Sequence, residues 1–325
     1  MPRLLITAGR QLTPLLMSVR EWSLYDEALL VELDTETGVA RKVLSWRSLA
    51  ENSPVEASSH TFKAATQRDD ELLLCTQTEV LIVDPATFAI RTVVSHPYFN
   101  DLHHVDRIDG LLHVVSTGLD ALFVVTDAGE LVREHSLVDQ DTWVRFDRAV
   151  DYRKVVTTKP HEAHPNYVFT TDAGTWVTRS LKFDAVCIDQ PGLRIQLGDR
   201  PIHDGVAHGA SLWFTNVDGT LFHVDARTSQ LIASHDLAAM EGRPLGWCRG
   251  LRIVDDTLYV AFSRMRATRA KETLKFVMAK LRQGSPPTRV AAYDLRTLKK
   301  RAEWDLEEIG CNAIFSLHPS RAQRP

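Results

Sequence analysis

The chain contains no run of ~18 consecutive apolar residues, the length a helix needs to cross a bilayer, so no membrane-spanning helix is expected. Cysteine is scarce. Cys75, Cys187, Cys248 and Cys311 stand far apart with no CxxC pair, which argues against both a disulfide framework and a zinc-finger site. Met1–Thr7 reads as a strand and lacks the long apolar core and small-residue cleavage site of a secretory signal. Together with the cysteine pattern, this gives the expectation of a cytoplasmic protein. An excess of basic residues is also missing: 38 Lys and Arg against 42 Asp and Glu leave a formal net charge of −4. A nucleic-acid partner, which wants a strongly basic surface, is therefore not expected. No phosphate-cradling glycine loop and no nucleophile elbow occurs. What is present is an ordinary globular balance, 44% hydrophobic and 25% charged over 325 residues.

One pattern recurs along the whole length: an apolar strand, an aspartate, a short turn, then a strand of mixed polarity. Its aspartates are Asp34, Asp84, Asp127, Asp189, Asp225 and Asp294, spaced 36 to 69 residues apart. Aspartate caps such a turn through its side chain, so each copy signals a hairpin. Two more short strands precede each hairpin, for example Asp101–Arg107 and Leu111–Ser116. Four antiparallel strands per unit, six times over, predict an all-β fold, a six-bladed β-propeller in a single domain. The first unit offers only Arg3–Ala8, Ala28–Asp34 and Val39–Trp46. Its missing innermost strand is available as Cys311–His318, and pairing the two chain ends would close the ring and cover free sheet edges.

Three segments depart from the pattern: Arg10–Asp26, Val138–Pro160 and Arg264–Pro287. In an up-and-down blade these connections emerge on the same face, which predicts a covered mouth of the central channel. Within the last segment, Leu274, Val277, Met278 and Leu281 have helical spacing beside a strongly basic face. A lid helix is expected there, with attraction of anions or a contact between copies of the chain as alternatives.

The innermost strands begin at that same mouth, and their first residues are rich in histidine. The windows are His60, Asn100–His104, His161–His164, His203–His208, Trp247–Gly250 and Cys311–Asn312, in a chain of 13 histidines. Side chains alternate along a strand, so one histidine of each of the pairs His161/His164 and His203/His208 is expected at the axis and the other between blades. Imidazoles converging from several blades suit a divalent transition metal such as zinc, manganese or iron. Candidate ligands are His60, His103, His161, His164, His203 and His208. Asp101, Glu162 and Asp204 are candidate bases or orienting partners. Arg249 is a candidate anchor for a substrate carboxylate or phosphate, or else a neutraliser of Asp204 or Glu162.

The segment Tyr98-Phe99-Asn100-Asp101-Leu102-His103, followed by Ser116-Thr117-Gly118, resembles a group of uncharacterised bacterial β-propeller proteins. The stretch His203–Asp225, with Arg249-Gly250-Leu251 and Phe262-Ser263-Arg264, is similar to the same group. That resemblance implies the propeller and no particular activity. The architecture also resembles gluconolactonase and paraoxonase lactonases, which implies an oxygen-rich cation site to which Asn100, Asp101, Asp204 and Asn312 would correspond; the histidine excess departs from it. Streptogramin lyase, oligogalacturonate lyase and carotenoid oxygenases are similar at the level of histidine-rich propeller sites.

These readings converge on a metal-dependent hydrolase or lyase for a small polar or anionic substrate at the channel mouth. A non-catalytic ligand- or protein-binding propeller is one alternative, and a histidine-ligated iron oxygenase is the other.

Overall fold

A computed structural model describes residues 2–11, 25–56, 58–68, 70–264 and 286–320. The expected segments Arg10–Asp26 and Arg264–Pro287 fall mostly outside these residues, and the proposed lid helix lies wholly outside them apart from its first residue.

Six four-stranded antiparallel sheets follow one another in sequence. Blade two comprises Ala64–Gln67, Leu72–Cys75, Val80–Val83 and Ile90–Val94. Blade three runs through Leu102–Ile108, Leu111–Ser116, Ala121–Val125 and Leu131–Ser136. Blades four, five and six repeat the plan from innermost strands Pro165–Thr171, Ile202–His208 and Trp247–Val254. Blade one is built from both chain ends. Ala313–Pro319 pairs antiparallel with Arg3–Gln11, Ile6 facing Leu317 and Thr7 facing Ser316. The ring closure expected from the sequence is therefore present.

The turn chemistry holds in detail in four blades. The Asp34 carboxylate accepts from the amides of Glu36 and Thr37 at 3.0 and 3.1 Å. Asp84, Asp225 and Asp294 make the same kind of turn. Blades three and four differ: Asp127 pairs with Arg107, and Asp189 reaches back to the amide of Thr175.

Each blade buries both faces. Separate hydrophobic clusters fill the interfaces: Phe123 and Leu73 between blades two and three, Tyr259 and Leu29 between six and one, Trp213 and Leu258 between five and six. Side-chain hydrogen bonds from the first and second strands of one blade, or the turn after them, stitch it to the innermost strand of the next. Thr66 donates to the Val105 carbonyl at 2.6 Å, Asn166 to the Ile202 carbonyl at 2.8 Å and Ser263 to the Ile314 carbonyl at 3.1 Å. Thr117 and Thr215 do the same to Pro165 and Arg249. The Ala65 amide closes the circle by donating to the Ser316 hydroxyl at 3.0 Å. Buried backbone groups at the axis lie where a neighbouring strand cannot reach them, so these side chains supply the partners burial demands.

Two short helices, Thr142–Arg145 and Leu237–Glu241, decorate the rim. Among the described residues no helix is long and apolar enough to cross a membrane. All four cysteines are buried free thiols.

Candidate functional site

Five innermost strands carry a register shift near their first residues. In blade one, Phe315 is the extra residue, because Ser316 faces Thr7 and Ile314 faces Ala8. The corresponding shifts fall at His103, at Asn166–Tyr167, at His203–Asp204 and at Arg249–Gly250. A bulge of this kind re-aims a side chain without ending the strand. Hydroxyls on the second strands hold three of them: Thr178 accepts from the Tyr167 amide, Thr215 from the Asp204 amide and Thr7 from the Ser316 amide, at 2.9–3.2 Å. Phe315, His103, Asn166, His203 and Arg249 thereby line one cavity of about 580 Å³. Blade two adds Lys63, one residue ahead of its strand, so every blade contributes at least one side chain.

His161 and His164 reach the cavity by a different device. Asp120, 2% exposed and left-handed at φ 51°, accepts from the backbone amides of Glu162, Ala163 and His164 at 2.8, 3.1 and 2.8 Å. His164 is itself left-handed, at φ 50°. The result is a fixed turn ahead of the strand, and both imidazoles line the cavity. The expected division, one histidine at the axis and one between blades, assumed a straight strand and fails here. The rings cluster: centroids of His103 and His164, and of His161 and His164, are 5.0 Å apart, and those of His103 and His203 6.0 Å. His161 Nδ1 and His164 Nδ1 are hydrogen-bonded at 2.8 Å.

The connection from blade three to blade four is the one departing segment that is described throughout. Asn100 staples it to the mouth, its side-chain amide donating to the carbonyls of Tyr152 and Val155, both at 2.8 Å. Its last residues bring Lys159 into the cavity wall.

Burial dominates the titration of the imidazoles. It drives His103 down to about 3. It holds His164 and His203 well below the ordinary histidine range and also lowers His161. All four rings are neutral at pH 7. Burial works in the opposite sense on Asp101, yet the ammonium groups of Lys63, whose Nζ lies 3.5 Å from Oδ1, and of Lys159 keep this carboxylate ionised. Among the described residues lining the cavity, the charges are thus three cations, Lys63, Lys159 and Arg249, against one carboxylate.

Of the residues singled out from sequence, Asp101, His103, His161, His164, His203 and Arg249 come together here. Four do not. His60 precedes its strand, bridges to Asp26 and accepts from the Ser48 amide at 3.1 Å. Glu162 is exposed and bonded to Lys182 at 2.9 Å, because the Asp120 turn presents only its backbone inward. Asp204 follows His203 in the bulge and therefore faces the other way, accepting from the Gly205 amide at 2.9 Å. His208 is exposed at the far end of the same strand, beside the hairpin turn. Of the oxygen-rich set suggested by lactonases, Asn100 is committed to stapling a loop, and Asn312 accepts from the Gln11 amide.

Sequence reasoning missed Lys63, Asp120, Lys159, Asn166 and Phe315. Only Lys63 left a trace, lying three residues after His60 where an inner strand was expected.

Ring spacing bears on whether two imidazoles could share a metal ion. A ring ligated at ~2.1 Å has its centroid ~3.2 Å from the ion, so two ligating rings sit ~4.5–5.2 Å apart. The pair His103/His164 fits this, and His103/His203 is wider. Among the described residues no three His, Cys, Asp or Glu side chains already converge as a metal-binding group.

No protein-family model and no curated protein matches the chain. Solved structures do. A protein of unknown function from Bacteroides caccae superposes with a TM-score of 0.62 at 9% identity, over 99% of this chain and 100% of that one. A chain of the nidogen/laminin complex superposes with a TM-score of 0.58, also at 9% identity and with the same coverage. At such identity the likeness is one of fold, and with the strand pairing above it establishes the chain as a six-bladed β-propeller.

Proposed function

We propose that the protein is an enzyme acting on a small anionic molecule at the channel mouth, by general-base catalysis leading to elimination or hydrolysis. The observation that carries this reading is three cations and four neutral imidazoles facing one cavity of about 580 Å³. Lys63, Lys159 and Arg249 attract an anion and stabilise negative charge that develops during reaction. Arg249 offers a guanidinium fork suited to a carboxylate or phosphate, and lies 4.7 Å above the Phe315 ring.

His161 is the residue assigned as base. Its Nε2 is buried without a hydrogen-bond partner among the described residues, so its lone pair is available to a bound molecule. For that, His161 carries its proton on Nδ1 and donates it to His164 Nδ1, leaving His164 protonated on Nε2. In an elimination, Nε2 takes a proton from the carbon next to the anionic group, the C–H electron pair forms the double bond and the substituent on the adjacent carbon departs with its bonding pair. In a hydrolysis, it takes a proton from water as the water oxygen bonds to the ester carbon or phosphorus and the alcohol leaves.

A second reading keeps a divalent transition metal, held by His103, His164 and His203. The neutrality of these rings and the 5.0 Å spacing of His103 and His164 favour it, whereas the 6.0 Å spacing of His103 and His203 and the surrounding cations do not.

The test is a turnover screen. Pools of small carboxylates and phosphate esters are incubated with the protein and followed by mass spectrometry, alongside His161→Gln and Arg249→Gln variants. Depletion of one compound by the wild type, slowed ~100-fold or more in His161→Gln, is expected. No depletion in any pool, with folded protein, would leave a binding propeller. Activity that needs added zinc, manganese or iron and is lost with bound metal in a His103/His164/His203 triple alanine variant would select the second reading.

A further inference from the structure

The cavity has a second chemical character on its blade-two side. Ser59 Oγ, Gln77 Oε1 and Asp101 Oδ1 are buried with no hydrogen-bond partner among the described residues. Ser59 and Asp101 are more than nine-tenths buried, at 8% and 6% exposure. All three line the mouth cavity, and all three also line a small recess opening from it, where Thr78 Oγ1 is likewise unpartnered. Isolated buried polar atoms each cost ~1–3 kcal/mol, so one such atom is unremarkable and a contiguous group facing a cavity points to a partner that arrives from outside.

The donor and acceptor pattern restricts that partner. The Asp101 carboxylate and the Gln77 carbonyl oxygen only accept, whereas the Ser59 and Thr78 hydroxyls accept or donate. The complementary groups must therefore be donors. Ammonium groups are disfavoured by Lys63, Lys159 and Arg249 around the same cavity. Aliphatic hydroxyls are neutral, donate to Asp101 and Gln77, and exchange hydrogen bonds with Ser59. The spacing adds one more restriction. Asp101 Oδ1 lies 3.5 Å from Lys63 Nζ, so the place where a hydroxyl is held adjoins the place where an anion is held.

We infer that the substrate is a hydroxylated acid: its anionic group sits among Lys63, Lys159 and Arg249, and hydroxyls within one or two carbons of that group are bound by Asp101, Ser59 and Gln77. This rests on the anion-binding reading above and names its substrate class. Acyl chains of equal length and charge but without hydroxyls leave the Gln77 oxygen without a donor and Asp101 Oδ1 with only its 3.5 Å contact to Lys63, the situation in which polar sites discriminate strongly.

The experiment compares matched ligands by calorimetric titration of the full chain. Pentanoate and inorganic phosphate report anion binding alone; arabinonate, xylonate and ribonate add hydroxyls to the five-carbon acid in three configurations. The expected result is that at least one hydroxy acid binds tenfold or more tightly than pentanoate, and that this ratio falls toward one in a Ser59→Ala/Gln77→Leu variant. Equal affinities for pentanoate and all three hydroxy acids in the wild type would overturn the inference while leaving anion binding intact. No binding of any of the five would overturn both. The wild-type ratio decides even if the double variant fails to fold.

Discussion

His161 Nδ1 and His164 Nδ1 lie 2.8 Å apart, joined across a turn whose backbone amides all point at the carboxylate of Asp120. Two neutral imidazoles in that contact hold a single proton between them, so they must be opposite tautomers. Nitrogen-15 spectra of selectively labelled protein at pH 7 are expected to show one ring protonated at Nδ1 and the other at Nε2. Two rings both protonated at Nε2 would contradict the contact and remove the base assigned above.

Asp120 is the residue that makes this arrangement possible. Its carboxylate accepts three backbone amides, and Arg145 Nη1 lies 3.6 Å away. Charged hydrogen bonds are worth ~1.5–3 kcal/mol each and are not fully additive. Asp120→Ala is expected to lower unfolding stability by ~3 kcal/mol and to abolish the His161–His164 contact in the same spectra. A loss below ~1 kcal/mol with the contact retained would show that the turn forms without it.

Asp204 supplies a pH prediction separate from the cavity. Burial pushes this carboxyl up to about 7, against the help of the Gly205 and Leu251 amides and of Arg252. The folded state therefore keeps a proton that the unfolded chain releases near 3.8. The associated stability is complete below that value and is lost as pH rises toward 7, a change of order ~4 kcal/mol in total. Asp204→Asn has no such proton to lose. Denaturant unfolding should show wild-type stability falling relative to the variant by ~2 kcal/mol or more between pH 5 and 8. Parallel stability curves would mean that the carboxyl is ionised in the fold at little cost.

At Gly250 the innermost strand of blade six packs directly against the backbone of the innermost strand of blade one. A Cβ there would stand 2.8 Å from Ser316 Cα and 3.0 Å from its carbonyl carbon. These are backbone atoms, so a methyl group must push the ring-closing strand aside. Gly250→Ala is expected to cost ~2 kcal/mol or more and to weaken anion binding, because neighbouring Arg249 shares the bulge. An unchanged thermal midpoint would show that this interface yields easily.

The architecture was legible in the sequence because its signals are local. An aspartate such as Asp84 makes its turn with amides two and three residues on, and although only four of the six aspartates make that turn, all six mark a hairpin in the sequence. Ring closure was legible because blade one lacked a strand and the chain end offered one. The site was only partly legible. Bulges at His103, His203 and Arg249 insert one residue where simple alternation predicts none, which reverses which side chain faces inward. The bulge at His203 sent Asp204 away from the cavity, and further bulges at Phe315 and Asn166 admitted two residues that have no distinctive sequence context. Asp120 lies more than forty residues before the amides it holds, and a contact at that distance has no periodic signature.

The account stands on the claim that the mouth grips a small anion through cations from separate blades. Calorimetric titration of the full chain with inorganic phosphate and with short carboxylates, repeated for Lys63→Gln and Arg249→Gln, addresses it directly. The account predicts saturable binding at one site, weakened tenfold or more in each variant and weakened by added salt. Binding of equal strength in the wild type and both variants, or no binding to the wild type at all, would contradict it.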